Sequence, residues 1–280
     1  MYSLQHKIYS NDKLKIICGS SDIYENTLII AAHPDDEVIG ASGRLPLLKN
    51  FSIIHSTDGA PENMMDAVSA GLSGMEEYSS ARRQELYGAL HLAGISGDRC
   101  RCLGFKDQGI SFSLAEAAEC IKGVLEELMP DIVLTHPYEG GHPDHDSTAF
   151  AVHAACRLIR KKGNMPPVII EFTSYHGNEG SIITAEFLPY KNILSCSLIL
   201  SEQEMTLKNK MLDCFVTQQK TLSAFRGNKE SFRYAPGYDF SIPPHKGKLY
   251  YEYFNWGIDG AQWRSNALSA LKVLGIQNNL

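Results

Sequence analysis

The sequence predicts an α/β fold, a mostly parallel sheet flanked by helices, on three observations. Two short runs, Thr27-Leu28-Ile29-Ile30-Ala31-Ala32 and Asp131-Ile132-Val133-Leu134-Thr135, are continuously apolar, as strands buried on both faces are. Stretches with helical apolar spacing alternate with such runs, the pattern of βαβ units. Two polar clusters, His33-Pro34-Asp35-Asp36-Glu37 and His142-Pro143-Asp144-His145, follow the two runs. In an open parallel sheet the loops beyond the carboxyl ends of the strands form the ligand crevice, so clusters far apart in sequence meet there. The expected architecture is Rossmann-like, with its reactive groups at strand ends.

After the first cluster, residues 38–49 read as a helix and 51–56 as the second strand, ending in Thr57-Asp58-Gly59-Ala60-Pro61. Residues 62–80, with Gly71, Gly74, several serines and Met64-Met65, suit either a lid beside the crevice or a surface excursion that packs its methionines inward. A helix over 82–93 stops at Gly94, a short strand over 100–104 leads to Asp107, and a helix over 114–128 ends before Pro130. A helix over 146–160 anchors His145, with His153 expected on its surface. Residues 168–172 form a strand ending in Tyr175-His176-Gly177, 193–199 an edge strand and 202–225 a long helix. Residues 1–225 are the expected catalytic domain. Residues 226–280 are an aromatic-rich C-terminal extension packed on it, in which Pro236, Pro243 and Pro244 disfavour regular helix.

The two clusters hold the groups that metal-assisted hydrolysis needs. A catalytic divalent ion uses three protein ligands and leaves one position for water, and His33, Asp36 and His145 supply that set. Pro34 stiffens the turn between the first two. Of the remaining groups, Asp35 suits a general base, and His142 suits an acid or an oxyanion stabiliser. Asp144 suits a partner that orients one of the histidines. The plainer reading, that such aspartates only cap the following helix, applies to Asp144 or Asp146. Zinc is the default for two histidines and a carboxylate in hydrolysis, and iron(II) accepts the same ligands.

At these residues the chain resembles the PIG-L/LmbE family of metal-dependent de-N-acetylases, whose signatures A-H-P-D-D-E and H-P-D-H both stand intact. The resemblance implies the same metal ligands, Asp35 as base and His142 as the catalytic histidine. It further implies substrate contacts from Arg82, in an R-x-x-E pair with Glu85, and from Asp107. Tyr138, four residues before His142, is a candidate substrate contact, although the relatives with an oxyanion-assisting tyrosine carry it two residues before that histidine, where this chain has Gly140. The Tyr175-His176 pair offers His176 as a further substrate contact at the crevice rim. Other departures are Gly40-Ala41 for a usual Gly-Gly, and Phe215 where many relatives have histidine before Thr217-Gln218. The implied activity is removal of acetyl from an N-acetylated amino sugar or related glycoconjugate.

Composition narrows the partners. A formal charge of −6 without a Lys/Arg run disfavours nucleic acid and anionic membranes. Met1 to Lys7 lacks an apolar secretory core and no stretch approaches a membrane span, so a cytoplasmic protein is expected. Seven cysteines without a C-x-x-C pair read as reduced thiols. Three alternatives stay open: hydrolysis of another amide, a non-catalytic nucleotide- or glycan-binding module, and an iron(II) oxygenase. The last is disfavoured because its triads usually begin H-x-D on β-barrel strands, whereas here the spacing is H-x-x-D. The individual substrate and the oligomeric state are not legible.

Overall fold

A computed structural model describes residues 13–278, so the expectation at Met1 to Lys7 lies outside the described residues. Strands β1 (Thr27–Ala31), β2 (Phe51–Pro61), β3 (Cys100–Asp107), β4 (Ile132–Thr135) and β5 (Val168–Phe172) pair in parallel, and β9 (Lys229–Tyr234) and β8 (Ser195–Ile199) extend the sheet antiparallel. The order is β3-β2-β1-β4-β5-β9-β8, with a separate hairpin of β6 (Tyr175–Asn178) and β7 (Ser181–Thr184). The chain runs outward from β1 through β3 and returns to β4 on the other side of β1. The crevice of such a sheet opens at this reversal, between the carboxyl ends of β1 and β4.

Alternation along β1 divides its side chains between two cores: Ile29 faces one, Leu28 and Ile30 the other. The first core joins Val38 of α1 (Asp36–Ala41), Leu86 of α3 (Met75–Leu92) and Met211 of α6 (Glu202–Asp213). The second joins Ile121 of α4 (Leu114–Leu128), Phe150 of α5 (Pro143–Lys161) and Trp263 of α7 (Gly260–Leu274). Helices thus cover both faces, which is why the central strands read as unbroken apolar runs.

The expected helix over 38–49 is the short α1, which ends where Ser42 Oγ (2.6 Å) and Gly43 N (3.2 Å) donate to Glu230 Oε1. Lys208 Nζ, buried beside Glu230, donates to Ile39 O at 3.0 Å and ties α1 down from behind. The expected helix over 202–225 stops at Asp213, because Thr217 N and Oγ1 turn to Glu85 at 2.8 and 2.7 Å. Residues 62–80 contain a short helix, α2 (Met65–Ser69), and the first turns of α3. Met64 packs on Ala60, Ala67 and Tyr78, whereas Met65 is 70% exposed. The segment after residue 225 contributes β9 inside the sheet and the regular helix α7, which begins beyond the prolines and is capped by Asp259.

Two expectations are corrected. Cys18 and Cys196 are joined as a disulfide spanning 178 residues of sequence, with the other five cysteines free. Disulfides persist in oxidising surroundings, and the reading of all seven cysteines as reduced thiols does not hold. No helix among the described residues is long and apolar enough to cross a membrane. His153 is not on the surface of its helix but buried against Tyr238 and Phe240.

Cross-linking so long a loop restricts the unfolded chain, and Cys18→Ser should lower stability by roughly 2–5 kcal/mol. Denaturant unfolding checks this, and a midpoint equal to the oxidised wild type contradicts it. Burial pushes His153 down to about 4 from its ordinary 6.5. The folded state therefore holds it neutral at pH values where the unfolded chain binds a proton, so acid between those values favours unfolding by up to roughly 3 kcal/mol. Between neutral pH and the acid end of that window, wild type should lose more stability than His153→Phe; equal losses contradict the reading.

Candidate metal centre and active site

The loop after β1 turns sharply enough to place Asp35 at φ 131° and ψ −27°, a strained conformation for a residue with a Cβ. The buried guanidinium of Arg82, from α3, holds the turn. It donates to Gly59 O (2.8 Å), Pro34 O (2.7 Å) and Asp35 Oδ2 (3.0 Å). Burial pushes Asp35 up to about 8, against the opposing pull of Arg82. Glu37, wholly buried, receives His55 Nε2 from β2 at 2.9 Å and fixes the start of α1 from below.

Asp36 is the meeting point of three imidazoles, from the loop after β1, the end of β4 and the first turn of α5. His33 N donates to its Oδ2 at 2.8 Å, with His33 Nδ1 3.4 Å from the same oxygen. His136 Nε2, at the end of β4, lies 3.3 Å from Oδ2, and His145 Nε2, on α5, lies 3.2 Å from Oδ1. Burial alone would raise Asp36, but His145 and His136 hold its carboxyl well below the usual range. Burial pushes His145 down to about 4.

A second cluster adjoins the first through His33. Its Nε2 lies 3.2 Å from Asp144 Oδ2 and 3.3 Å from Asp107 Oδ1. These carboxylates raise His33 well above its ordinary value although burial opposes the charge. Asp144 also accepts Gln108 N at 2.7 Å, and burial pushes it up to about 7. His142 caps α5: its Nδ1 accepts Asp144 N at 3.1 Å, ahead of Pro143 in the first turn. That bond leaves Nε2 as the nitrogen carrying a proton in the neutral ring. Burial, reinforced by His33 and His145, holds His142 well below its ordinary value. Asp146 Oδ1 accepts Glu139 N and Gly140 N at 3.1 and 3.0 Å and shapes the preceding loop. At Gly141 a Cβ would lie 2.1 Å from Tyr175 O, so only glycine allows this approach.

His33, Asp35, Asp36, Asp107, His142, Asp144 and His145 therefore converge. Possible ligand atoms lie mutually within 4.8 Å in three overlapping sets: His33-His142-His145, His33-Asp107-His142-Asp144 and Asp36-His136-His145. The expected triad is linked through Asp36, with its members divided among these sets. Asp107 Oδ1 and Asp144 Oδ1 are buried without a hydrogen-bond partner, and a cation fits such a surplus of acceptors. Tyr138 is not among the converging residues: its ring stacks on Trp263 and its hydroxyl donates to Ile242 O at 3.0 Å. His176 sits with its Nδ1 3.6 Å from Glu139 Oε2. His136 is the residue the sequence analysis missed. It stacks on His145 with centroids 4.0 Å apart, and its signal was a His-Pro pair directly after an apolar strand, as at His33.

Residues 28–156 match the family model described as PIG-L, GlcNAc-PI de-N-acetylase. The chain is 30% identical over 142 residues to "Probable N-acetyl-alpha-D-glucosaminyl L-malate deacetylase 2" of Bacillus subtilis (strain 168), covering 49% of this chain and 62% of that protein. It is 29% identical over 147 residues to "1D-myo-inositol 2-acetamido-2-deoxy-alpha-D-glucopyranoside deacetylase" of Corynebacterium glutamicum (strain R), covering 45% and 51%. The chain thus spans about half to three-fifths of the length of these two relatives. The fold is shared with the solved A40926 pseudoaglycone deacetylase, at TM-score 0.57, 20% identity and coverage of 76% of this chain and 97% of that one. The zinc-inhibited form of teicoplanin deacetylase gives TM-score 0.57, 17% identity and coverages of 74% and 96%.

Arg82 has two readings, anchor of the Asp35 turn or substrate contact, and they separate experimentally. As an anchor, Arg82→Ala leaves Asp35 buried without its partner and should cost about 3–5 kcal/mol of stability. Thermal or denaturant unfolding showing a change below about 1 kcal/mol, with only KM raised, contradicts the anchoring role.

Proposed function

We propose that this chain is a metal-dependent amide hydrolase that removes the acetyl group from an N-acetylated amino sugar or related glycoconjugate. The observation that supports this best is the Asp36 carboxylate bracketed by His33 and His145, with Asp35 and His142 alongside. In this reading His33, Asp36 and His145 hold the cation. Zinc, or iron(II) on the same ligands, supplies Lewis acidity and lowers the pKa of water.

The remaining chemistry belongs to the chain's own groups. Asp35, its carboxylate oriented by Arg82, takes the proton of the attacking water. The Nε2–H of His142, fixed in that tautomer by the helix cap, donates a hydrogen bond to the developing oxyanion, and Asp35 returns the proton it took from water to the departing nitrogen as the C–N bond breaks, releasing acetate and a free amino sugar. Asp144 orients His33 through its Nε2, and Asp107 offers an acceptor to a sugar hydroxyl at the same rim. We assign the segment after residue 225 to the same catalytic unit, because β9 lies within the sheet and Trp256 packs on His142 with centroids 4.6 Å apart.

Asp35→Asn should lower turnover by about 10²–10⁴ while leaving bound metal at the wild-type level. Free-amine release from a panel of N-acetyl sugars, joined to elemental analysis, checks both halves. Near wild-type turnover in the metal-loaded variant contradicts the assigned base.

A further inference from the structure

His142 is delivered by a loop that cannot hold itself in place. Residues 139–141 read Glu-Gly-Gly, with Gly140 at φ 71° in the left-handed region, and glycine leaves the backbone many other conformations to visit. What fixes the loop is therefore whatever grips it. From within α5, Asp146 Oδ1 accepts Glu139 N and Gly140 N. From outside, Tyr250 N donates to Gly140 O at 2.9 Å. The buried carboxylate of Glu139 supplies the remaining hold: its Oε1 accepts Leu188 N at 2.7 Å and Arg233 Nη2 at 3.2 Å, and its Oε2 faces His176 Nδ1 at 3.6 Å. Arg233 is fixed in turn by Glu171, the Tyr238 hydroxyl and the ring of Phe187. Glu139 itself is not a member of the possible ligand sets.

Resting on the amide-hydrolase reading, we infer that Glu139 is a positioning residue for that reaction: gripped by Arg233 and Leu188, it sets, through the two glycines that follow it, where the Nε2–H of His142 points. Charge-assisted hydrogen bonds are shorter and roughly twice as strong as neutral ones, which makes the carboxylate a stiff tether. A donor to an oxyanion works only within a narrow range of distance, and a misplacement of about 1 Å can cost about 10²-fold in rate. Without the tether the loop keeps only Asp146 and Tyr250. The loss falls on turnover rather than on binding, because the oxyanion forms after the substrate is bound.

The test is a double-mutant cycle between Glu139 and His142 on the full chain carrying one equivalent of zinc, read by free-amine release from a panel of N-acetyl sugars. His142→Asn keeps a side-chain acceptor for Asp144 N and loses the Nε2–H. Glu139→Ala should lower kcat by roughly 10–10², with KM and bound zinc within about twofold of wild type, and in the His142→Asn background it should cost less than about twofold. Equal losses in the two backgrounds, or a rise in KM alone, overturn the assignment. Should Glu139→Ala not fold, Glu139→Asp, which withdraws the carboxylate by one methylene, enters the same cycle with the same outcomes. Trp256, its ring 4.6 Å from that of His142, reads the loop without turnover. Glu139→Ala should change tryptophan emission and lose that effect in His142→Asn; emission indifferent to Glu139, or equally altered in both backgrounds, overturns the assignment. A wild type that releases no amine from any sugar defeats the hydrolase reading alone, and emission then decides for Glu139.

Discussion

One carboxylate carries the arrangement. Asp36, 2% exposed, is met by imidazoles from the loop after β1, the end of β4 and the first turns of α5. A buried anion is tolerated only when it is paired or coordinated, so each surrounding element has to be held within bonding range. The sheet does the coarse work by putting the ends of β1 and β4 side by side. Fine placement comes from behind: Lys208 and Glu230 fix α1, Arg82 fixes the turn at Asp35, and the glycine at 141 lets the second loop close on Tyr175.

The same economy of buried charge runs through the C-terminal half. Arg233 of β9 donates to Glu171 Oε2 at 2.6 Å, Leu188 O at 2.7 Å and Glu139 Oε1 at 3.2 Å. Glu139 opens the loop that delivers His142, so a strand outside the PIG-L match takes part in shaping the second motif. Burial pushes Glu171 up to about 7 even with Arg233 opposed to it. Removing one member of such a network leaves its partners uncompensated, which makes the two halves of the chain interdependent.

Legibility in the sequence followed chemistry of short range. The apolar runs of β1 and β4 and the clusters at their ends announced the sheet, the crevice and most of the converging groups, because burial on two faces and ligand spacing both leave local marks. β9 left none: Lys-Glu-Ser-Phe-Arg-Tyr reads as polar, and only its partners Lys208, Glu171 and Glu139, distant in sequence, make it an interior strand. The disulfide was equally silent, since no spacing links Cys18 to Cys196. His136 was legible in principle, and the more complete motif six residues later drew attention from it. Tyr138 shows the reverse failure, a residue next to a motif whose hydroxyl and ring both turn into the core.

The central claim is that Asp36 and its imidazoles form the cation site. X-ray absorption at the zinc edge, on protein carrying one equivalent of zinc, tests it most directly. The account predicts a shell of nitrogen and oxygen alone at about 2.0–2.1 Å, with the outer scattering of two imidazoles, and its loss in Asp36→Ala. A shell containing sulfur at about 2.3 Å, or a spectrum indifferent to Asp36→Ala, would contradict it.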